Sequence, residues 1–519
     1  MDQLPQEIIN LIASFIDRYP DQLGIPLWQC KELPSNLPPY ATISLSWKHA
    51  IERTVFQKIT LKSTELEAFD TIFRGDRRRL LTRLILDIVL LTYDEKACGR
   101  FERAIDRNAN DEVFTQAIEK LFAVLKSWED SSVEGGICLV LGKIYSPSDA
   151  SQRDFETIQQ QRLEAEVGKR HDLFEHRHKH SLIHLLRPDS LPSLHRVSMA
   201  NLGYSNYGRS LDMRAVVDIT AKFSNLGSFG WELYDNEKRD ANLRLTNRHS
   251  FASALLTCTF PSLKIAEITF YHEAPLNQRM KPANLLGNHT YDPLSTALLR
   301  TFSQAQNLTS LTLTGVFDSS LFWPSSHQSP NTPVPSWPNL KSLIVTFDLT
   351  TPSGHWYFTD PSGLDPEDVL TLPAEDEDSE DSSNSDVDSF DEFDAEQDAR
   401  LSGVTPLNAF RTVPNIAHLN HFILTIAKGL THMPSLLTFA LTTGPVEGPD
   451  SPFQFEICYY APDQIAYYGH DRIDDQKFRR LYFEVGSWMP DEKVLGELRE
   501  VGRSRWGDRL VERFLEGQF

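Results

Sequence analysis

Two groups of residues in this 519-residue chain have the types and spacing that could do chemistry. Five histidines stand between His171 and His184, and His176, His180 and His184 are four apart. That spacing stacks imidazoles on one helix face, where they could grip a metal. No cysteine and no HExxH pattern joins them, and Arg170, Arg177 and Lys179 repel a cation. A solvated polar helix is therefore expected, with no metal. Gly136 to Lys143 resembles a phosphate loop, but five residues separate the glycines where four are needed. Ile144 stands where Ser or Thr must meet magnesium, and the intervening residues are apolar, so Gly135 to Tyr145 reads as a buried strand. Cys30, Cys98, Cys138, Cys258 and Cys458 never reach CxxC spacing, which leaves neither a zinc knuckle nor a redox pair. There is no GxSxG elbow and no dinucleotide glycine fingerprint behind a strand. The expectation is a chain that binds rather than transforms, with no catalytic residue, metal or cofactor.

The elements that would present a binding surface begin at the amino end. Leu4, Ile8, Ile12 and Phe15/Ile16 recur at helical spacing within Asp2 to Ile16. Pro5 suits the first turn, and Glu7 lies near the positive end of the helix dipole. A proline-rich connection over 19–39 leads to a second helical pattern, Tyr40, Ile43, Trp47 and Ile51. Phe56 to Leu61 then alternates like a strand.

These residues resemble a known family. Leu4-Pro5-Gln6-Glu7-Ile8-Ile9, followed by Ile12, resembles the opening of an F-box. Ser44 to Ile51, with Trp47 after a small residue and before Lys48, resembles its later segment, and Leu37 to Ser44 is similar to F-box proteins of filamentous fungi. The resemblance covers residues 1–60 and departs from the pattern in the longer linker between its halves. It implies a helical module that docks on the Skp-type adaptor of a cullin–RING ubiquitin ligase. Leu4, Pro5, Ile8 and Ile12 would then enter the adaptor interface, while Trp47 and Ile51 would hold the helices together or touch the adaptor. The same periodicity also suits a helix packed on the following domain, because a partner face and a core face look alike in sequence.

From residue 61 to 519 one pattern recurs: a leucine, then apolar residues three and five positions on. It stands at Leu81/Leu84/Leu86, Leu194/Val197/Met199, Leu226/Phe229/Trp231, Leu263/Ala266/Ile268, Leu308/Leu311/Leu313, Leu340/Leu343/Val345 and Leu436/Phe439/Leu441. Several copies share an approach of Pro, then Ser or Asn, then Leu, as at 192–194, 261–263, 338–340 and 434–436. This is the LxxLxL signature of a leucine-rich repeat. Helical stretches such as Asp212 to Phe223, Arg248 to Cys258, Pro293 to Ser303 and Asn415 to Thr431 separate the copies. The asparagine that normally follows the motif is absent, and Tyr271, Val316, Asp348 and Gly444 occupy matching positions. The fold class expected is α/β, an F-box-like helical module followed by an irregular leucine-rich-repeat-like solenoid. An ordinary α/β domain with buried strands stays open. Asp111 to Trp128 reads as a helix, Phe453 to Tyr459 and Arg480 to Gly486 as strands, and Asp491 to Phe519 as a helix that caps the array.

In such an array the strand positions between the buried leucines form the binding face. Ser310, Thr312, Thr314, Ser342, Thr346, Thr438 and Thr442 are the target-binding candidates, with Glu267, Thr269, Ile344 and Ala440 beside them. They describe an open surface for an unknown protein substrate, not a catalytic cleft. The formal charge of −21 argues against nucleic acid as a partner. Glu375 to Asp398 alone holds 13 acids and no Lys or Arg, so 352–404 is expected to be an acidic, disordered loop that interrupts the array. Ser385 and Ser389 have acids three residues on, the pattern an acid-directed kinase prefers. No membrane span or secretory leader is expected, which suggests a cytoplasmic or nuclear protein.

Overall fold

The computed structural model describes residues 4–16, 37–94, 97, 101–129, 135–149, 152, 177–178, 180–203, 208–238, 240–324, 334–361, 399–400, 402–444, 455–466, 473–486 and 488–515. Two helices open it, α1 (Gln6–Ile16) and α2 (Leu45–Val55). The chain then passes through β1 (Lys58–Lys62), α3 (Leu66–Ile72), β2 (Arg83–Val89), α4 (Ala104–Ser127), β3 (Ile137–Tyr145) and β4 (Val197–Gly203). Regular alternation follows: α5 (Met213–Thr220), β5 (Ser228–Tyr234), α6 (Ala241–Leu255), β6 (Ile265–Tyr271), α7 (Pro293–Gln304), β7 (Ser310–Gly315) and β8 (Ser342–Phe347). The last part holds the short strands β9 (Phe358–Thr359) and β10 (Val413–Pro414), then α8 (Ile416–Thr431), β11 (Thr438–Thr443), β12 (Glu456–Tyr460), β13 (Arg479–Glu484), α9 (Glu492–Glu500) and β14 (Leu510–Phe514). Among the described residues twelve strands form one sheet in which each bonds to the next in chain order, and β9 pairs with β10 apart from it. Every pairing in this sheet from β1 to β11 is parallel, while β9 and β10 pair antiparallel. The protein is thus α/β, built on one large, mostly parallel sheet.

The recurring leucines explain this sheet. Residues two apart on a strand share a face, so the motif places its last two apolar residues inward. Phe229, Ala266, Leu311, Leu343 and Phe439 line up across β5 to β11, and Trp231, Ile268, Leu313, Val345 and Leu441 form the next row. All ten are buried. Burying each large side chain contributes about 1.5–3 kcal/mol, which fixes the register, since a one-residue slip would turn the rows to solvent. Leu194/Val197/Met199 departs from the rule. The β3–β4 register shifts after Ile137, so Met199 points outward and Ala200 and Leu202 take the inward places.

The shared approach to each motif also has a structural reason. Asn225 Nδ2 donates to the His195 carbonyl, Asn307 Nδ2 to that of Pro261, and Asn339 Nδ2 to that of Gln306. Ser435 Oγ donates to the Pro338 carbonyl. In these four turns the residue before the first leucine therefore ties the turn to the one before it. Helix starts are marked as regularly: Asp212, Asp240, Asp292, Asn415 and Asp491 cap α5, α6, α7, α8 and α9 through backbone N–H groups. Each such cap contributes about 1 kcal/mol.

The structure corrects several expectations. β12 runs antiparallel to both neighbours, so the parallel array stops at β11. Asp491 to Phe519 is not one helix. Gly502 and Gly507, both with positive φ, end the helical part, and Leu510–Phe514 pairs with β13 as a strand. Part of the span 352–404 is packed: Trp356, Tyr357 and Phe358 are buried, and β9 pairs with β10. Residues 362–398, with Ser385 and Ser389, lie outside the described residues. No described helix is long and apolar enough to cross a membrane.

Candidate interaction surfaces and a strand-end pocket

The first candidate surface is built by α1 and α2. Ile9, Ala13, Leu37, Trp47, Ala50 and Ile51 form a small core of their own, separate from the core under the sheet. Ser44 caps α2 by accepting from the Trp47 amide, and Gln6 Nε2 ties α1 to the Ser46 carbonyl. Once Ile9 and Ala13 face inward, the helical repeat turns Leu4, Ile8 and Leu11 outward. They are 41%, 42% and 52% exposed, and Pro5 is exposed beside them. Tyr40, Ile43 and Leu45 add to this uncovered apolar surface.

Of the residues expected at a partner interface, Leu4, Pro5 and Ile8 are therefore accessible. Ile12 is half-buried against the small core. Trp47 and Ile51 are enclosed and join the helices, so they cannot form the outer surface. The reason is geometric: a pair of short helices has to bury its largest side chains between them. Leu11, Tyr40, Ile43 and Leu45 are exposed apolar residues not among those expected there. An apolar residue seven on from Leu4, on the stripe of Ile8, was the available signal for Leu11.

The second surface is the outward face of the sheet. Ser310, Ser342 and Thr438 form one row across β7, β8 and β11. Thr312, Ile344 and Ala440 form the next, and Thr314, Thr346 and Thr442 the third. All are partly or fully exposed, since the helices pack on the opposite, leucine-bearing face. Parallel pairing in register thus brings every expected target-face residue together. Toward β6 and β5 the face becomes acidic, with Glu267 next to Thr312 and Glu232 next to Thr269. Burial, then the charge of Glu267, raises the pKa of Glu232. Beyond β11 the face closes, because Cys458, Tyr460, Tyr482 and Ala466 bury one another.

The third feature lies where β6, β7, β8 and β11 end. A cavity of about 420 Å³ opens there, within the ~300–1,000 Å³ usual for small-ligand sites. Phe270, Phe347 and Leu349 supply apolar wall, and His272, Glu273, Asp348, Thr314 and Thr346 supply polar atoms. His272 Nδ1 lies 2.9 Å from Asp348 Oδ2, and Asp348 Oδ1 accepts from the Thr350 amide and hydroxyl at 2.9 Å each. Burial holds the His272 pKa below its ordinary value. Burial opposes ionisation of Asp348, but the pairing with His272 and the Thr350 donors outweigh it and hold its pKa low.

Behind the cavity runs a buried ionic belt. Arg244 and Arg248 bind Asp235, Arg248 also binds Asp292, and the Asp292 amide donates to Asp318. Burial would raise the Asp235 pKa, yet the two guanidinium groups hold it at about 2. Burial and the neighbouring Asp292 push Asp318 up to about 6. In the sequence, Thr314 and Thr346 on the expected target face and the departures at Asp348 and Gly444 were the signals for this cavity, while the belt behind it left none.

The other sequence candidates have ordinary places. Gly136 to Lys143 lies in and just before β3. His171 and His176 lie outside the described residues. His180 and His184 sit in turn and extended backbone rather than a helix, and bind Glu237 and Asp111. Among the described residues no group of His, Cys, Asp and Glu could hold a metal. Cys138, Cys258 and Cys458 are thiols without disulfide partners. No protein-family model matches the chain, and no curated protein matches it.

Proposed function

We propose that this chain is the substrate-recognition subunit of a Skp–cullin–F-box-type ubiquitin ligase. α1 and α2 form the F-box-like module that binds the Skp-type adaptor, and the sheet domain, an irregular leucine-rich-repeat-like solenoid, binds a protein target. The single observation that carries this reading is the uncovered ridge of Leu4, Ile8 and Leu11 on a helical pair with its own core. Such a stripe gains about 25 cal/mol per Å² of apolar area once a partner groove covers it. The solenoid reading is supported by strands that pair in chain order, in parallel and in register. The chain itself catalyses nothing in this reading and uses no cofactor. It acts by effective concentration, holding a target beside the transferring enzyme.

Co-expression with a Skp-type adaptor tests the proposal. Wild type is expected to co-purify with the adaptor at equal stoichiometry. Ile8→Asp is expected to lose the adaptor while keeping the melting temperature of the sheet domain. A wild-type chain that stays alone in the presence of adaptor sinks the ligase reading and leaves a repeat scaffold for protein–protein interaction.

A further inference from the structure

We propose that the strand-end cavity is a recognition pocket for a basic side chain, arginine or lysine, of an extended target segment lying on the outward face of the sheet. The inference deepens the target-binding half of the proposed function and is independent of the adaptor half. Three observations carry it. First, the polar lining is rich in acceptors: Glu273 and Asp348 are carboxylates, Thr314 and Thr346 carry hydroxyls, the Gln278 amide oxygen accepts from the Phe410 and Arg411 backbone amides, and no Lys or Arg lines the cavity. With His272 neutral, the proton it shares with Asp348 sits on Nδ1, which leaves Nε2 as an acceptor without a partner among the described residues. The His272 side chain is 4% exposed and lines the cavity, so Nε2 can accept from a donor that enters it.

Second, the charge behind the cavity is unbalanced. The belt, the cavity floor and its rim hold Asp235, Asp292, Asp318, Asp348 and Glu273 against Arg244, Arg248, Lys238 and Arg411, an excess of one carboxyl group. The field at the mouth therefore favours a cation. Lys238 stands 4.0 Å from Glu273 Oε2, and Tyr271 donates to the other oxygen. They orient this carboxylate at the rim, and Glu273 stays 57% exposed to a ligand. Third, the cavity is continuous with the outward face, because Thr314 and Thr346 are the last outward residues of β7 and β8. A segment crossing that face passes the carboxylates of Glu267 and Glu232 on its way. The aromatic and leucine walls match the apolar stem of arginine or lysine, and the acceptors match its head.

The purified full-length chain is to be probed on an array of alanine–serine heptapeptides with arginine, lysine, glutamate or leucine at the centre. Retention on the arginine and lysine peptides alone is expected. Glu273→Gln, at an exposed side chain that does not hold the fold, should weaken that retention on the order of tenfold. Thr314→Phe, which fills the mouth, should abolish it. Equal retention on all four peptides, or arginine retention that neither variant alters, overturns the proposal. So does binding of N-acetylarginine amide as tight as that of the peptide, since it would mark a site for a small organic cation. Adaptor capture is measured on the same preparations. The pocket variants should keep it and Ile8→Asp should keep peptide retention, so failure of one reading is distinguishable from failure of the other.

Discussion

Ile8 and Ile9 are neighbours in the chain but lie on different sides of α1: Ile9 is fully enclosed by the small amino-terminal core, while Ile8 is left 42% exposed. Their separation makes two kinds of substitution distinguishable. Changes on the Ile8 side alter an exposed apolar surface, and changes on the Ile9 side remove the module's own stability.

Trp47→Ala should therefore act differently from Ile8→Asp. Trp47 is the largest side chain in that core, and its loss should cost about 3–5 kcal/mol. Hydrogen exchange is expected to show α1 and α2 unprotected in the variant, with β5 to β11 as protected as in wild type. Uniform loss of protection over the whole chain would show that the two cores are not energetically separate.

The alternation on β8 predicts a sharp contrast between adjacent residues. Ile344 points outward and is 39% exposed, while Val345 is wholly buried. Ile344→Arg should change stability by no more than about 0.5 kcal/mol. Val345→Ala should cost about 1–3 kcal/mol through lost burial and the cavity it leaves. Chemical denaturation of the two variants checks this, and similar costs for both would contradict the assigned faces.

Arg248 is fully buried, with Asp235 on one side and Asp292 on the other. Arg248→Met should destabilise the fold by about 3–5 kcal/mol, because it leaves Asp292 without its counter-charge and Asp235 with Arg244 alone in a dry environment. The thermal midpoint measures this effect. An unchanged midpoint would mean that water reaches the belt.

Two carboxyls of the belt predict opposite dependences on pH. Asp235 titrates at about 2 in the fold, below its ordinary value of 3.8. Its contribution is fully present above about pH 4 and is lost as pH falls through 2. Asp318 titrates at about 6, so the fold favours its protonated form. That contribution is present below about pH 4 and is lost as pH rises through 6. Urea midpoints followed against pH should show Asp318→Asn flattening the upper limb relative to wild type, and Asp235→Asn flattening the lower one.

Much of this architecture was legible in the order of residues, because each strand obeys a local rule. Apolar residues two apart must share a face, so Leu311/Leu313, Leu343/Val345 and Phe439/Leu441 marked their strands and the outward residues between them, Thr312, Ile344 and Ala440. The helix α7 was read almost to its ends for the same kind of reason, an apolar stripe starting at a proline. The stripe of Leu4 and Ile8 was likewise visible. Which of its apolar neighbours would be hidden was not, since Trp47 and Ile51 became interior only when α1 lay across α2.

What the sequence by itself determined was the alternation of strand and helix and the side of each strand that faces inward. Periodicity is a property of neighbours along the chain, and it needs no knowledge of what lies beside them. Only the tertiary structure decided that Leu510–Phe514 joins a sheet instead of extending a helix, and that Met199 turns out of its row. It alone brought His272 to Asp348, 76 residues further along, at the end of two strands that do not touch each other directly. Such a pair depends on how many strands intervene and where each one stops, which is set by packing across the whole sheet and by no local pattern.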